Sequence, residues 1–155
     1  MAQTTTTGKL LLRVLYASIA MAILVIASFA VPVQKPRKLV VFLGGEGIAV
    51  AVADTSSSQS RGLSGREKLE PNEGMLFVFP KPALSGFWMK DMRFPIDIIY
   101  FDADRRIVDV WEDATPESYP KVFTPRVHAQ FVLEVPAGFF ADHHLKVGNI
   151  IEIPR

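Results

Sequence analysis

Beyond residue 38 the hydrophobic positions fall in short runs of five to nine residues, each ended by a turn signal. KLVVFL (38–43) and GIAVAVAD (47–54) flank Gly44-Gly45-Glu46 and predict a hairpin. GMLFVF (74–79) predicts a third strand, closed by Pro80. GFWMKDM (86–92) and PIDIIYF (95–101) predict two more, since proline is tolerated at the first position of a strand. Asp102 to Arg106 reads as a turn into IVDVWED (107–113), and VHAQFVLEV (127–135) and NIIEI (149–153) complete eight strands. After Thr55 the alternation stops, and Asp54 to Ser56 supply N-cap residue types, so a short helix is expected there, limited by Gly62 and Gly65. Residues 114–126 hold three prolines and form the longest loop, and residues 136–148 have room for one or two helical turns. About eight short strands with one or two short helices predict a mainly β domain, a compact sandwich or an open barrel.

The N-terminal pattern differs. Val14 to Val31 is eighteen residues without a charge, about 27 Å as a helix and just enough to cross a bilayer core. It shows no polar stripe of the kind a helix on a soluble core presents. Lys9 and Arg13 precede it, and Ser28-Phe29-Ala30 offers the small residues a signal peptidase prefers. Two readings stay open: a signal peptide cut before Val31, or an uncleaved anchor, since the run exceeds the usual signal core of about 7–15 residues. Lys35, Arg37 and Lys38 nearly balance the bases on the other side and leave orientation weakly specified. The expected organisation is a signal peptide or anchor (1–31), a proline-containing basic linker (32–38) and one β-rich domain (39–155). The chain would meet a membrane through residues 10–31 if uncleaved, with the domain exported to the periplasmic or extracellular face.

Composition narrows the function. The net charge is +1, and beyond residue 30 the chain carries 15 bases against 16 acids, so no basic surface selects nucleic acid as partner. The chain has no cysteine, which excludes disulfides, thiol nucleophiles, thiolate metal sites and a lipoprotein anchor.

Two charges interrupt the apolar stretch FWMKDMRFPIDIIYFD (87–102). With period-two alternation, Trp88, Lys90 and Met92 share one face of a strand, and Asp97, Ile99 and Phe101 one face of the next. A hairpin around Met92 to Phe94 would bring Lys90 and Asp97 together. A desolvated charge needs a partner, so one expectation is an ion pair of Asp97 with Lys90, Arg61 or Arg66. The alternative is a pocket for a carboxylate, phosphate or sugar acid, lined by Arg61, Arg66 and Lys90, oriented by Asp97 and walled by Trp88.

Several separated motifs coincide with a known pattern: Arg61-Gly62-Leu63 with Arg66, Gly74-Met75-Leu76-Phe77-Val78-Phe79, Phe87-Trp88-Met89-Lys90, Pro95-Ile96-Asp97-Ile98-Ile99, Val132-Leu133-Glu134 with Gly138, and Val147-Gly148. In order and spacing the chain resembles the family catalogued as domain of unknown function 192. It departs from that pattern at Ser64, where many relatives have methionine, and at Asn149, where an aspartate is usual. The resemblance implies a compact β-rich fold and carries over no activity, cofactor or catalytic residue.

Other chemistry is weakly supported. His143 and His144 are neighbours, whose rings on a helical turn point about 100° apart, and His128 is distant in sequence, so no metal site is expected. Asp102-Ala103-Asp104 lacks the glycine and distal glutamate of a calcium loop and reads as a plain turn. Gly62-Leu63-Ser64-Gly65 lacks the spacing of a nucleophile elbow, and Trp111 suits a strand edge or core. The expectation is a noncatalytic cell-envelope domain without cofactor, binding a small anionic ligand or an envelope protein. A small hydrolase or lyase acting on cell-wall saccharide or peptide, with Asp97 and Glu134 or Glu112 as acid/base pair, is the alternative. An accessory subunit of a membrane complex is a third.

Overall fold

A computed structural model describes Arg13, Tyr16 and residues 37–154. One compact unit spans Pro36–Arg155. The apolar segment 14–31 lies outside the described residues save Tyr16, and so does most of the 32–38 linker. Among the described residues no helix is long and apolar enough to cross a membrane.

The domain is mainly β. Strands β1 (Lys38–Leu43) and β2 (Glu46–Ala53) form the expected hairpin, turning through Gly44 and Gly45 at positive φ. Helix α1 (Ser56–Arg61) follows, with Thr55 as N-cap in a reciprocal capping box with Ser58. Its chain ends at Gly62, φ 52°, as the glycine required. Next come β3 (Glu73–Ala83), β4 (Ile96–Phe101), β5 (Ile107–Ala114), a 3₁₀ turn at Pro116–Ser118, β6 (Ala129–Pro136) and α2 (Phe139–Asp142). The six strands make one mixed sheet in the order β1-β2-β3-β6-β4-β5. Only β2 and β3 run parallel, because α1 carries the chain back over the sheet between them.

Two expected strands are absent, and the sandwich goes with them. Residues 86–92 join no strand of the sheet, and their one β-bridge pairs Phe87 with Phe123 of the proline-rich loop. Asp91 sits at φ 56°, a turn conformation, and the carbonyls of Lys90 and Asp91 bond to Ser64 Oγ and Gly65 N–H instead of a strand. The stretch 95–101 therefore pairs with β5 and β6, not with 86–92. Residues 149–153 likewise form bridges only, Arg106 with Ile150 and Phe42 with Glu152. The segment thus straddles the two edge strands β1 and the start of β5, and the sheet does not close into a continuous barrel.

Both faces of the sheet are covered. One core gathers Val41, Ile48, Leu76, Ile99, Phe101, Leu133 and Val135 with Phe139 and Leu145 from α2 and its exit. The other gathers Met75, Phe77, Ile98, Tyr100 and Val132 with Leu63 and Met89 from the α1 side. Strands β3 and β6 approach closely at Gly74, where a Cβ would stand 2.7 Å from the Glu134 carbonyl oxygen. This explains a glycine at the head of an otherwise bulky strand.

Candidate functional site

On the second face, helix α1 and the loop 85–92 leave a cleft over β3 and β6. Gln59 pins the helix by donating to the Val78 carbonyl at 2.9 Å. Two hydrogen bonds tie the helix exit to the loop: Ser64 Oγ donates to the Lys90 carbonyl at 2.9 Å, and Gly65 N–H to the Asp91 carbonyl at 2.9 Å. Phe77 and Phe87 meet edge to face with centroids 4.8 Å apart, and Phe87 meets Tyr100 in the same way at 5.9 Å.

The cleft has an inner and an outer part. The inner cavity, about 260 Å³, has apolar walls from Leu63, Phe77, Phe79, Phe87 and Met92, with Glu134 among them. The outer groove, about 540 Å³, is lined by Arg61, Trp88, Lys90, Asp91 and three serines. Ser60, Arg61, Ser64 and Trp88 belong to both parts, so the two are continuous. Trp88 is 54% exposed at the rim.

Glu134 is the unusual group of this site. Alternation along β6 places it beside Val132 on the cleft side, only 5% exposed, and its Oε2 has no hydrogen-bond partner. Burial drives its carboxyl up to about 8, an effect that the charge of Arg66 only partly opposes. At neutral pH the side chain is therefore mostly the uncharged acid, with a proton to donate. Tyr100 is also raised, first by burial and then by the charges of Glu134 and Asp109, and its hydroxyl donates to the Phe123 carbonyl at 2.9 Å.

Of the five residues singled out in the sequence, Arg61, Trp88 and Lys90 line the outer groove together. Arg66 acts on Glu134 through its charge and lines neither part of the cleft. Asp97 is elsewhere. It follows the alternation of Ile99 and Phe101 onto the opposite face of the sheet, fully buried. There Oδ1 accepts from the Asp113 N–H and Oδ2 from the Phe140 N–H, both at 2.9 Å. The expected ion pair with Lys90, Arg61 or Arg66 does not form: among the described residues none of these three bases lies within 4.0 Å of a carboxylate. Backbone donors satisfy the buried carboxylate instead, one from the β5 bend and one from the first turn of α2. Opposite faces also rule out Asp97 and Glu134 as an acid/base pair, and Glu112 is exposed on β5.

A buried carboxylate with an ion-pair partner does exist, at a place the sequence did not suggest, and its arginine is exposed. Asp109, 1% exposed, bonds the Arg126 backbone N–H at 2.7 Å and its guanidinium, closing the proline-rich loop against β5. Burial alone would raise this carboxyl, but the Arg126 side-chain and backbone bonds and the Val110 N–H outweigh it and hold it below the usual range. The Asp102 turn is plain, with Oδ1 accepting from Arg106 N–H at 2.8 Å. His143 stacks on Phe139, while His128 and His144 are exposed, and among the described residues no group of three metal-ligating side chains gathers.

A small, open mixed sheet with a lateral cleft is thus the class that fold and site define. The chain belongs to the domain of unknown function 192 family (DUF192), described as an uncharacterised ACR, whose model matches residues 39–153. It is 31% identical over 104 residues to the UPF0127 protein TK1120 of Thermococcus kodakarensis, a match covering 66% of this chain and 62% of that relative's length. A UPF0127 protein of Thermococcus gammatolerans is 30% identical over 104 residues, covering 66% and 64% of the two chains. Two crystal structures share the fold. A protein of unknown function from Novosphingobium aromaticivorans superposes with TM-score 0.73 and 29% identity over 79% of this chain and 89% of its own. A protein of Sinorhizobium meliloti, provisionally named a transcription regulator, gives 0.72 and 28% over 76% and 95%. Four of the six motif pieces that carry the family resemblance contribute residues to the inner cleft.

Proposed function

We propose that this domain is a noncatalytic binding module for a small amphipathic anion, held in the cleft between α1 and the 85–92 loop. The observation that carries the reading is the joined cleft itself. Its inner part is apolar and aromatic, and its mouth holds Arg61 and Lys90, neither neutralised by a carboxylate within 4.0 Å. Apolar walls with a few convergent polar groups are the usual make-up of a ligand site. Free guanidinium and ammonium groups at the mouth favour a carboxylate, phosphate or sulfonate. The raised pKa of Glu134 also suits a general acid. Catalysis is the lesser reading, because no second carboxylate or histidine lines the inner cavity.

The test compares two probes of one shape, naphthalene-2-sulfonate and naphthalene-2-sulfonamide, titrated into the full chain while Trp88 fluorescence is followed. The charged probe is expected to bind about tenfold more tightly, one charge contact being worth about 1.4 kcal/mol. That preference should vanish in the Arg61→Ala/Lys90→Ala double variant, whose exposed positions leave the fold intact. Equal binding of both probes, or an undiminished preference in the double variant, would contradict the reading.

The apolar segment 14–31 supports placing this domain outside the cytoplasmic membrane, as a secreted or anchored envelope protein. Intact-mass analysis of fractionated cells checks this. A mature chain beginning at Val31 marks a cleaved signal, and a full-length chain in the membrane fraction marks an anchor. A full-length chain in the soluble cytoplasmic fraction would sink the export reading.

A further inference from the structure

The inner cavity is lined by an acid, Glu134, whose buried Oε2 meets no hydrogen-bond donor among the described residues. A buried polar atom left so costs about 1–3 kcal/mol. A ligand that meets this atom recovers that free energy, so the inner wall has a chemical preference. Resting on the binding-module reading above, we propose that the inner cavity selects an uncharged hydrogen-bond acceptor, a ketone, ester or amide carbonyl, which accepts the Glu134 proton. The preferred ligand then has an acceptor at its buried end, an apolar or aromatic body, and an anionic group at the mouth.

The surroundings decide between an acceptor and the obvious competitor, an ammonium group paired with an ionised Glu134. The charged and titratable groups around Glu134 come from four elements: the crossover after α1, β4, α1 itself and the 85–92 loop. Arg66, in the crossover after α1, sets a positive charge close enough to oppose its protonation, and that same field repels a bound cation. Tyr100 of β4 faces it as a neutral phenol, its hydroxyl already donated to the Phe123 carbonyl. Farther out, Arg61 and Lys90 are cationic, and Asp91 is the lone acid of the outer groove. The neighbours on either side in the sheet, Met75 of β3 and Ile98 of β4, are apolar. An entering ammonium would meet three bases against one solvent-facing acid and would have to ionise Glu134 in an apolar wall. An uncharged carbonyl requires neither. It takes the proton already present, with Phe77 and Phe87 flanking its apolar body.

Fragment probes isolate this cavity from the basic mouth. Acetophenone presents a carbonyl on an aromatic ring, and protonated 1-phenylethylamine presents a cation on the same framework. Ligand-observed NMR on the full chain measures both from pH 6 to pH 9.5. Acetophenone is expected to bind at least fivefold more tightly at pH 7, and to weaken towards tenfold per pH unit once Glu134 has ionised, above about pH 8. Glu134→Gln keeps a donor and should bind acetophenone with no pH dependence, while Glu134→Met removes the donor and should weaken it fivefold or more. The proposal is overturned if the amine binds more tightly, or tightens with rising pH, or if neither fragment responds to the two substitutions. The anion reading is tested by the preference for sulfonate over sulfonamide, whereas this one is tested by the response of uncharged acetophenone to Glu134→Gln and Glu134→Met. Failure of the anion reading and failure of this one are thereby distinguishable.

Discussion

Glu134→Gln is expected to make the domain more stable at pH 9 by about 4–5 kcal/mol and to leave its stability nearly unchanged at pH 4. The sign follows from where the proton sits. Below the ordinary carboxyl value near 4.5, Glu134 is neutral in both the folded and the unfolded chain and carries no penalty. Between about 4.5 and about 8 the unfolded chain releases the proton while the fold retains it. Stability then falls by about 1.4 kcal/mol per pH unit. Above about 8 both forms are ionised, and the loss is complete and constant. Glutamine is uncharged throughout, so a plot of the variant's stability minus that of the parent should rise through that window and then level off. Urea denaturation at half-unit pH steps gives this difference directly. A leucine would remove this penalty, and its retention at a cleft wall supports the role in binding proposed for Glu134.

The second large effect concerns the other buried acid. Asp97→Ala is expected to lower stability by about 3 kcal/mol, with a melting temperature about 10 °C lower. The carboxylate holds two backbone N–H groups that no neighbouring strand reaches, those of Asp113 and Phe140. Removing it frees the first turn of α2 and the positive-φ bend at Asp113 together. Asp97→Asn keeps one acceptor oxygen and should fall between. Lys90→Met, Arg61→Ala and Arg66→Ala should each change stability by less than about 0.5 kcal/mol, and their effects should add to that of Asp97→Ala. Coupling beyond about 0.5 kcal/mol between Asp97 and any of these bases would restore the ion pair that the geometry lacks.

Asp97 and Glu134 also mark the limits of what the sequence could say. Runs such as IDIIYF and AQFVLEVP read correctly as strands because short apolar runs rich in β-branched and aromatic residues, bounded by turn signals, are local properties. The Thr55 cap and the Gly62 stop of α1 were legible for the same reason. Residues 86–92 were misread because their alternation is genuine, while what bends them is non-local: the donors of Ser64 and Gly65, about 26 residues away. Residues 149–153 are as apolar as a strand, yet reach two different edges and cannot form a ladder with either.

The site divides in the same way. Arg61, Trp88 and Lys90 could be grouped from a helix and a loop flanking one apolar face, and they do line one groove. Asp97 could not be assigned, because its partners are backbone groups 16 and 43 positions on. Glu134 stands out in the sequence as an acid in an apolar strand, and residue type alone suggests only one half of an acid/base pair. Its burial without a partner depends on β3 and β4 closing on both sides, and the register with Met75 and Ile98 is a property of the folded sheet.

The pH dependence of stability and the ligand preference of the inner cavity both turn on the protonation of Glu134. The most direct test is a ¹³C NMR titration of its carboxyl carbon in the full chain, assigned by loss of the signal in Glu134→Gln. A midpoint near 8 is the expected result. A midpoint near the ordinary value of 4.5 would mean that water or another donor already serves this carboxylate, and the account of the cleft as a proton-donating binding site would be wrong.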